Sequence, residues 1–177
     1  DLYALYPDYL IDVAAEQRAL AAAQLVVWLQ PLHWYGMTPL LKLWVDEVFA
    51  FRWAYGPGGR ALAGKDLWLV ASTGGGEDSY RPQGTNRHFF DAFLPPYEQT
   101  AALAGMRFLP PLLLHGAHRV GNRFREGVGD ERAAGNGGWA GVSIRRVENE
   151  ESVTSLVHPG GAAHDAGHRT HIAAAVS

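Results

Sequence analysis

Residues 25–50 read LVVWLQPLHWYGMTPLLKLWVDEVFA, and the order of strand, loop and helix within them decides the fold. Leu25-Val26-Val27-Trp28-Leu29 is an unbroken apolar run with adjacent β-branched residues, the pattern of a strand buried on both faces and hence of a central parallel strand. After the loop from Gln30 to Met37, Thr38 is placed as an N-cap and Pro39 occupies the first helical position, where its missing N–H costs nothing. The helix that follows is expected to run to about Ala50. Leu40, Leu41, Trp44, Val45, Val48 and Phe49 form one stripe at helical period, with Lys42, Asp46 and Glu47 outside it, so Trp44 is predicted to be buried against the sheet.

Outward from this unit the same alternation continues. The first ten residues, DLYALYPDYL, are read as a short strand plus loop because Pro7 interrupts any longer element. Asp12 caps a helix predicted over Ala14 to Ala23, where Ala, Glu, Gln and Arg give high propensity. Phe51 to Lys65 contains Gly56-Pro57-Gly58-Gly59 and no periodicity, which marks a long loop. A second buried strand is predicted at Leu67 to Ala71, followed by a polar, glycine-rich stretch from Ser72 to His88. Phe89 to Leu94 begins a helix that Pro95-Pro96 must break or restart, and the restarted helix ends at Gly105. Met106 to His115 is a last apolar run, bent or placed at an edge by Pro110-Pro111. Beyond Val120 the pattern stops.

This order predicts a doubly wound parallel α/β sheet, a class that binds ligands outside the carboxyl ends of its strands. Loops 30–38 and 72–88 both leave such ends, so they are expected to face one crevice. With 177 residues and 47% apolar content the chain suffices for one domain-sized core. Fifteen basic against 18 acidic side chains leave no field for nucleic acid. Cysteine is absent, which excludes disulfides and thiolate chemistry and leaves redox work to a cofactor. No apolar run reaches the roughly 18 residues of a membrane span, so any membrane association is expected to be peripheral, and the absence of cysteine fits a reducing cytoplasm.

Two segments carry chemistry. Pro31-Leu32-His33-Trp34-Tyr35 is an aromatic loop directly after a buried strand, suited to walling a planar ring; the bland alternative is an aromatic cluster under loop 51–65. Thr73-Gly74-Gly75-Gly76 follows the second strand, and its amides can form a nest for negative charge, although most glycine-rich turns are only turns. It fits neither a Walker A loop nor a dinucleotide fingerprint. His115 and His118 flank the end of the last strand and are read as structural. His164, His168 and His171 have a spacing that could set ligands on one helix face, but Gly160, Gly161 and Gly167 argue against a helix, and no metal site is expected.

The order and spacing of PLHWYGMTPLLKLWVDEVFAFRWAYGPGGRALAGK, STGGGEDSY and PPYEQTAALAGMRFLPPLLLHGAHR resemble the NAD(P)H dehydrogenase (quinone) family of flavoproteins, and within it the ancillary oxidoreductases of glutathione-regulated potassium-efflux systems. The resemblance covers residues 1 to about 120. It implies a flavodoxin-like sheet, FMN held by Pro31, Leu32, His33, Trp34, Tyr35, Thr73, Gly74, Gly75 and Gly76, and two-electron reduction of a quinone by NADH or NADPH. Tyr80 falls where the family sets a tyrosine hydroxyl facing flavin and quinone; the alternative is an exposed loop tyrosine. Mammalian quinone reductases carry a histidine six residues further on, where this chain has Asn86, so acid–base catalysis there is not expected. The resemblance also implies a homodimer and a contact with a membrane potassium/proton antiporter. A non-catalytic regulatory subunit of that efflux system is the alternative.

Against that family the chain is expected to lack the first strand and the phosphate loop, with residues 1–125 forming an N-terminally truncated FMN-binding domain. Residues 126–177 are expected to be an irregular or disordered tail.

Overall fold

The computed structural model describes residues 1–117 in full, together with the backbone of three strands within 142–176. The opening turn, α1 (Leu2–Leu5), is helical rather than the strand expected: the Asp1 carboxylate accepts from the amides of Tyr3 at 3.0 Å and Ala4 at 3.3 Å. The carboxylate satisfies the otherwise free Tyr3 amide and shares the Ala4 amide with the Asp1 carbonyl, which suffices for one turn before Pro7. Helix α2 (Val13–Ala22) starts at Asp12, whose carboxylate accepts from Ala15 N at 2.9 Å, as read from the sequence.

Strand β1 (Leu25–Pro31) leads through a tight loop into helix α3 (Pro39–Val48), and strand β2 (Asp66–Ser72) follows the long loop 51–65. A 3-10 turn at Phe90–Phe93 precedes helix α4 (Pro95–Leu103), so Pro95 and Pro96 restart the chain as a helix. The last apolar run is split by its two prolines into β3 (Arg107–Phe108) and β4 (Leu112–Leu114), both parallel to β2. Pro110 and Pro111 lack ladder donors, which explains the break.

β1 and β2 pair in parallel from Leu25 with Asp66 to Pro31 with Ser72. Their side chains alternate between two buried faces. Val26, Trp28, Leu67, Leu69 and Ala71 meet α2, α3 and α4, while Val27, Trp68 and Val70 build a second cluster with Leu109 and Leu112. Trp44 is 2% exposed, whereas Lys42 and Asp46 stand in solvent as an ion pair, so the helix phase is as predicted. Burial of each large apolar side chain in that stripe contributes roughly 1.5–3 kcal/mol before entropy is counted.

Beyond residue 125 the backbone of β5 (Val142–Val147), β6 (Thr154–Pro159) and β7 (Ile172–Val176) is described. β5 and β6 form an antiparallel pair, and β7 runs parallel to β1 on the side away from β2. Regular strand backbone therefore occurs at three places within 142–176. Three consecutive alanines in β7 have low strand propensity and gave no signal. His118, His164, His168 and His171 lie outside the described residues.

Glu16 ties three helices together. Its carboxylate accepts from the Tyr6 hydroxyl at 2.7 Å and from Trp44 Nε1 at 3.0 Å, and burial next to this carboxylate pushes the Tyr6 phenol well above its ordinary range. Glu16→Ala leaves the indole N–H of a buried tryptophan without that acceptor. We expect a loss of about 2 kcal/mol in urea unfolding, against less than about 0.5 kcal/mol for the exposed control Glu47→Ala.

Candidate functional site

The parallel register brings the ends of β1 and β2 level, and Leu32 N donates to Ser72 O at 2.7 Å, so the two loops leave the sheet side by side. The first loop is a narrow turn. His33 N donates to Gly36 O at 3.3 Å and Gly36 N to His33 O at 3.0 Å, with Trp34 and Tyr35 between them at φ of 47° and 67°. Two adjacent non-glycine residues in the left-handed region, as in a type I′ turn, cost of order 1 kcal/mol each. The turn is over-determined by its surroundings. Tyr35 stacks on Phe93 with ring centroids 5.2 Å apart, and its hydroxyl donates to Asn86 Oδ1 at 3.3 Å. Trp34, by contrast, is 95% exposed.

What anchors the base of this turn is Gln30, only 2% exposed at the end of an otherwise apolar strand. Its Oε1 accepts from Thr38 N at 3.0 Å and its Nε2 donates to the Tyr97 hydroxyl at 2.9 Å. One amide thus joins β1, the start of α3 and α4. The Thr38 hydroxyl makes no cap hydrogen bond, and what Gln30 satisfies is the amide of the N-cap residue itself. Burial of Tyr97 raises its phenol to about 12, with the Gln30 bond opposing the shift.

The second loop begins at Thr73, 1% exposed, and turns through Gly74, Gly75 and Gly76 into a short 3-10 turn at Glu77–Ser79. Among the described residues, no acceptor receives the amides of Gly74, Gly75 or Gly76. Three successive amides without an acceptor are available to partial or full negative charge. Gly84 closes the loop from behind: a Cβ there would lie 2.4 Å from Asp78 O, so only glycine allows this approach. Asn86 N then donates to Ser79 O at 2.9 Å. Tyr80, 8% exposed, packs edge-on against Phe90 and Phe93 and lies 5.2 Å from the His115 ring.

Between the loops lies an open cavity of about 290 Å³, near the lower end for small-molecule sites. Leu32, Trp34 and Tyr35 line one side, Gly75, Ser79 and Tyr80 the other, with Thr85 and Asn86 at the end. Of the residues singled out in the sequence, Leu32, Trp34, Tyr35, Gly75 and Tyr80 therefore meet at one cavity. Pro31, His33, Thr73, Gly74 and Gly76 hold the adjoining backbone. Sequence reading did not find Gln30, Ser79, Thr85 or Phe93, because a polar residue inside an apolar strand and a lone aromatic in a turn carry no periodic signal. Among the described residues no group of His, Asp and Glu could hold a metal ion, and no helix is long and apolar enough to cross a membrane.

A parallel sheet with a crevice at its carboxyl edge, between an aromatic turn and a glycine loop, fits a flavodoxin-type protein. The chain belongs to the Flavodoxin-like fold family, whose sequence pattern matches residues 1–134. It is 50% identical over 114 residues to the glutathione-regulated potassium-efflux system ancillary protein KefF of Citrobacter koseri, a match that covers 64% of each chain. The chain thus spans less than two thirds of that relative. Among solved structures, general stress protein 14 of Treponema denticola in complex with FMN is similar at 37% identity and a TM-score of 0.65, with 71% of this chain and 72% of that one covered. An NADPH-quinone reductase from P. pentosaceus is similar at 25% identity and a TM-score of 0.61, covering 71% and 80%.

Gln30→Met preserves chain length but strips the Thr38 amide and the Tyr97 hydroxyl of their buried partner. The expected result is a loss of about 2 kcal/mol in denaturant unfolding and faster amide exchange at Leu32 to Met37 than at the β1 core. Unchanged exchange in that loop would show that Gln30 does not hold it.

Proposed function

We propose that this chain provides the FMN site of an NAD(P)H:quinone oxidoreductase and that the crevice between residues 31–35 and 73–80 takes the flavin ring. The observation that carries the reading is a single cavity lined by Leu32, Trp34 and Tyr35 of the aromatic turn and by Gly75 of the glycine loop, whose amides have no acceptor among the described residues. A planar ring with a polar, electron-accepting edge needs both halves. The similarity to an FMN complex and to an NADPH-quinone reductase supports it.

Bound FMN supplies hydride chemistry that no side chain of the chain can perform. The protein's part is to hold and shield. Leu32 and Tyr35 wall the ring, while the glycine amides stabilise negative charge that increases on reduction, a differential stabilisation of the kind that speeds a reaction. Tyr80 is assigned the hydrogen bond to charge developing at the reacting edge. Asn86 clamps Tyr35 and stores no proton, so this site relies on hydrogen bonding rather than on an acid–base histidine at that position. Exposed Trp34 at the cavity rim suits cover by a second subunit, in keeping with a homodimer.

A second reading rests on the name of the 50% identical relative: a regulatory subunit of a potassium-efflux system, taken here to be a membrane antiporter, in which bound FMN serves stability alone. Quinone-dependent oxidation of NADH or NADPH by the FMN-loaded protein separates the two. FMN binding without turnover, combined with co-purification with the antiporter, favours the regulatory subunit.

For the enzyme reading, Tyr80→Phe is expected to lower kcat by about tenfold or more with FMN content nearly unchanged, because the hydroxyl acts on developing charge. Unaltered turnover would remove Tyr80 from the chemistry.

A further inference from the structure

His115 has no part in the site as described, yet its ring touches the residue that begins the glycine loop. Thr73 Oγ1 lies 2.8 Å from Gly75 O and 3.0 Å from His115 Nδ1. A hydroxyl has one proton, and two oxygens at 2.8 Å repel unless that proton lies between them. The Thr73 proton therefore goes to Gly75 O. The hydroxyl must then accept from His115, which requires a proton on Nδ1.

The consequence reaches the glycine loop. Gly75 O accepts a second bond from Gly116 N at 2.9 Å, so this carbonyl is held between the Thr73 hydroxyl of its own loop and the segment after β4. In a trans peptide the following N–H points the opposite way. The Gly75–Gly76 peptide is thereby held with its carbonyl toward residues 115–116 and its amide turned from them. The segment is further bound by Thr73 N to Leu114 O and Ala117 N to Thr73 O, both at 2.9 Å. On its other side the imidazole packs on Tyr80 and Phe90, with centroids 5.2 and 5.7 Å away.

We propose that His115 is a positioning residue for the candidate ring site. By donating from Nδ1 to Thr73 it orients the Gly75–Gly76 peptide, and by packing on Tyr80 it sets the opposite end of the same loop. The lock stands on the geometry of this chain; its service to ring binding rests on the flavin reading.

The test has two independent parts. In the full chain labelled with ¹⁵N, ring nitrogen shifts at pH 8 are expected to show His115 as the Nδ1–H tautomer, with that preference lost in Thr73→Val. Exchange of the Gly116 amide, which reads the Gly75 carbonyl, is expected to quicken about tenfold in His115→Phe, which keeps a flat ring against Tyr80 but has no donor. His115→Asn, whose amide N–H falls near the place of Nδ1–H, is expected to restore wild-type protection. A predominant Nε2–H tautomer, or equal protection in the Phe and Asn variants, overturns the lock. In the second part the same proteins are titrated with lumiflavin, the ring without its ribityl phosphate. Weaker binding by about tenfold in His115→Phe, with recovery in His115→Asn, is expected. Equal affinity of the Phe variant overturns the service to the ring. Absence of lumiflavin binding by the wild type overturns the flavin reading, while the tautomer and the Gly116 exchange still decide the lock.

Discussion

The in-register parallel pairing of β1 with β2 is the constraint from which the rest follows. Because Pro31 stands opposite Ser72, both strands end at the same level and the chain must turn away twice at one edge. A shift by one residue would reverse the faces of every side chain in β1 and bury the wrong set. Trp28 and Leu69 are both completely buried on the helix-covered face, so that shift is strongly disfavoured. Packing of the core thus places the two loops, and their own residues need only decide what they do there.

Each loop is then fixed by polar groups that the core cannot ignore. Gln30 brings an amide into an apolar layer, where it is tolerable only with its partners, and those partners happen to be the first turn of α3 and a tyrosine of α4. Thr73 brings a buried hydroxyl to the residue after β2, with Gly75 and His115 as its partners. A buried hydrogen bond is directional where apolar contact is not, so these two residues convert a packed sheet edge into a crevice of defined shape. The strained Trp34-Tyr35 turn is maintained by the stacking of Tyr35 on Phe93 and by Asn86, an arrangement typical of backbone strain held at a functional site.

Much of this was legible in the sequence. Unbroken apolar runs identified β1 and β2, and the stripe from Leu40 to Phe49 gave the phase of α3, because burial writes itself into periodicity. Both loops were found because they follow buried strands. Gln30, Phe93 and the Thr73–His115 pair were not found as site determinants, since their meaning lies in contacts between residues 42 to 67 positions apart for the two hydrogen-bonded pairs. The first turn was misread because its stability comes from a single capping carboxylate rather than from a stripe. β7 was missed because backbone pairing, which needs no particular side chain, is what places its alanines beside β1.

The central claim is that the two loops form one ring-binding crevice, and amide shift mapping of the full chain during titration with FMN tests it most directly. The account predicts that the largest changes fall on the amides of Gly74, Gly75 and Gly76 and on Leu32 to Tyr35, moving together with one saturation curve. Changes centred instead on the groove between α3 and α4, around Asp46 and Leu103, or no change at either loop at saturating FMN, would contradict it.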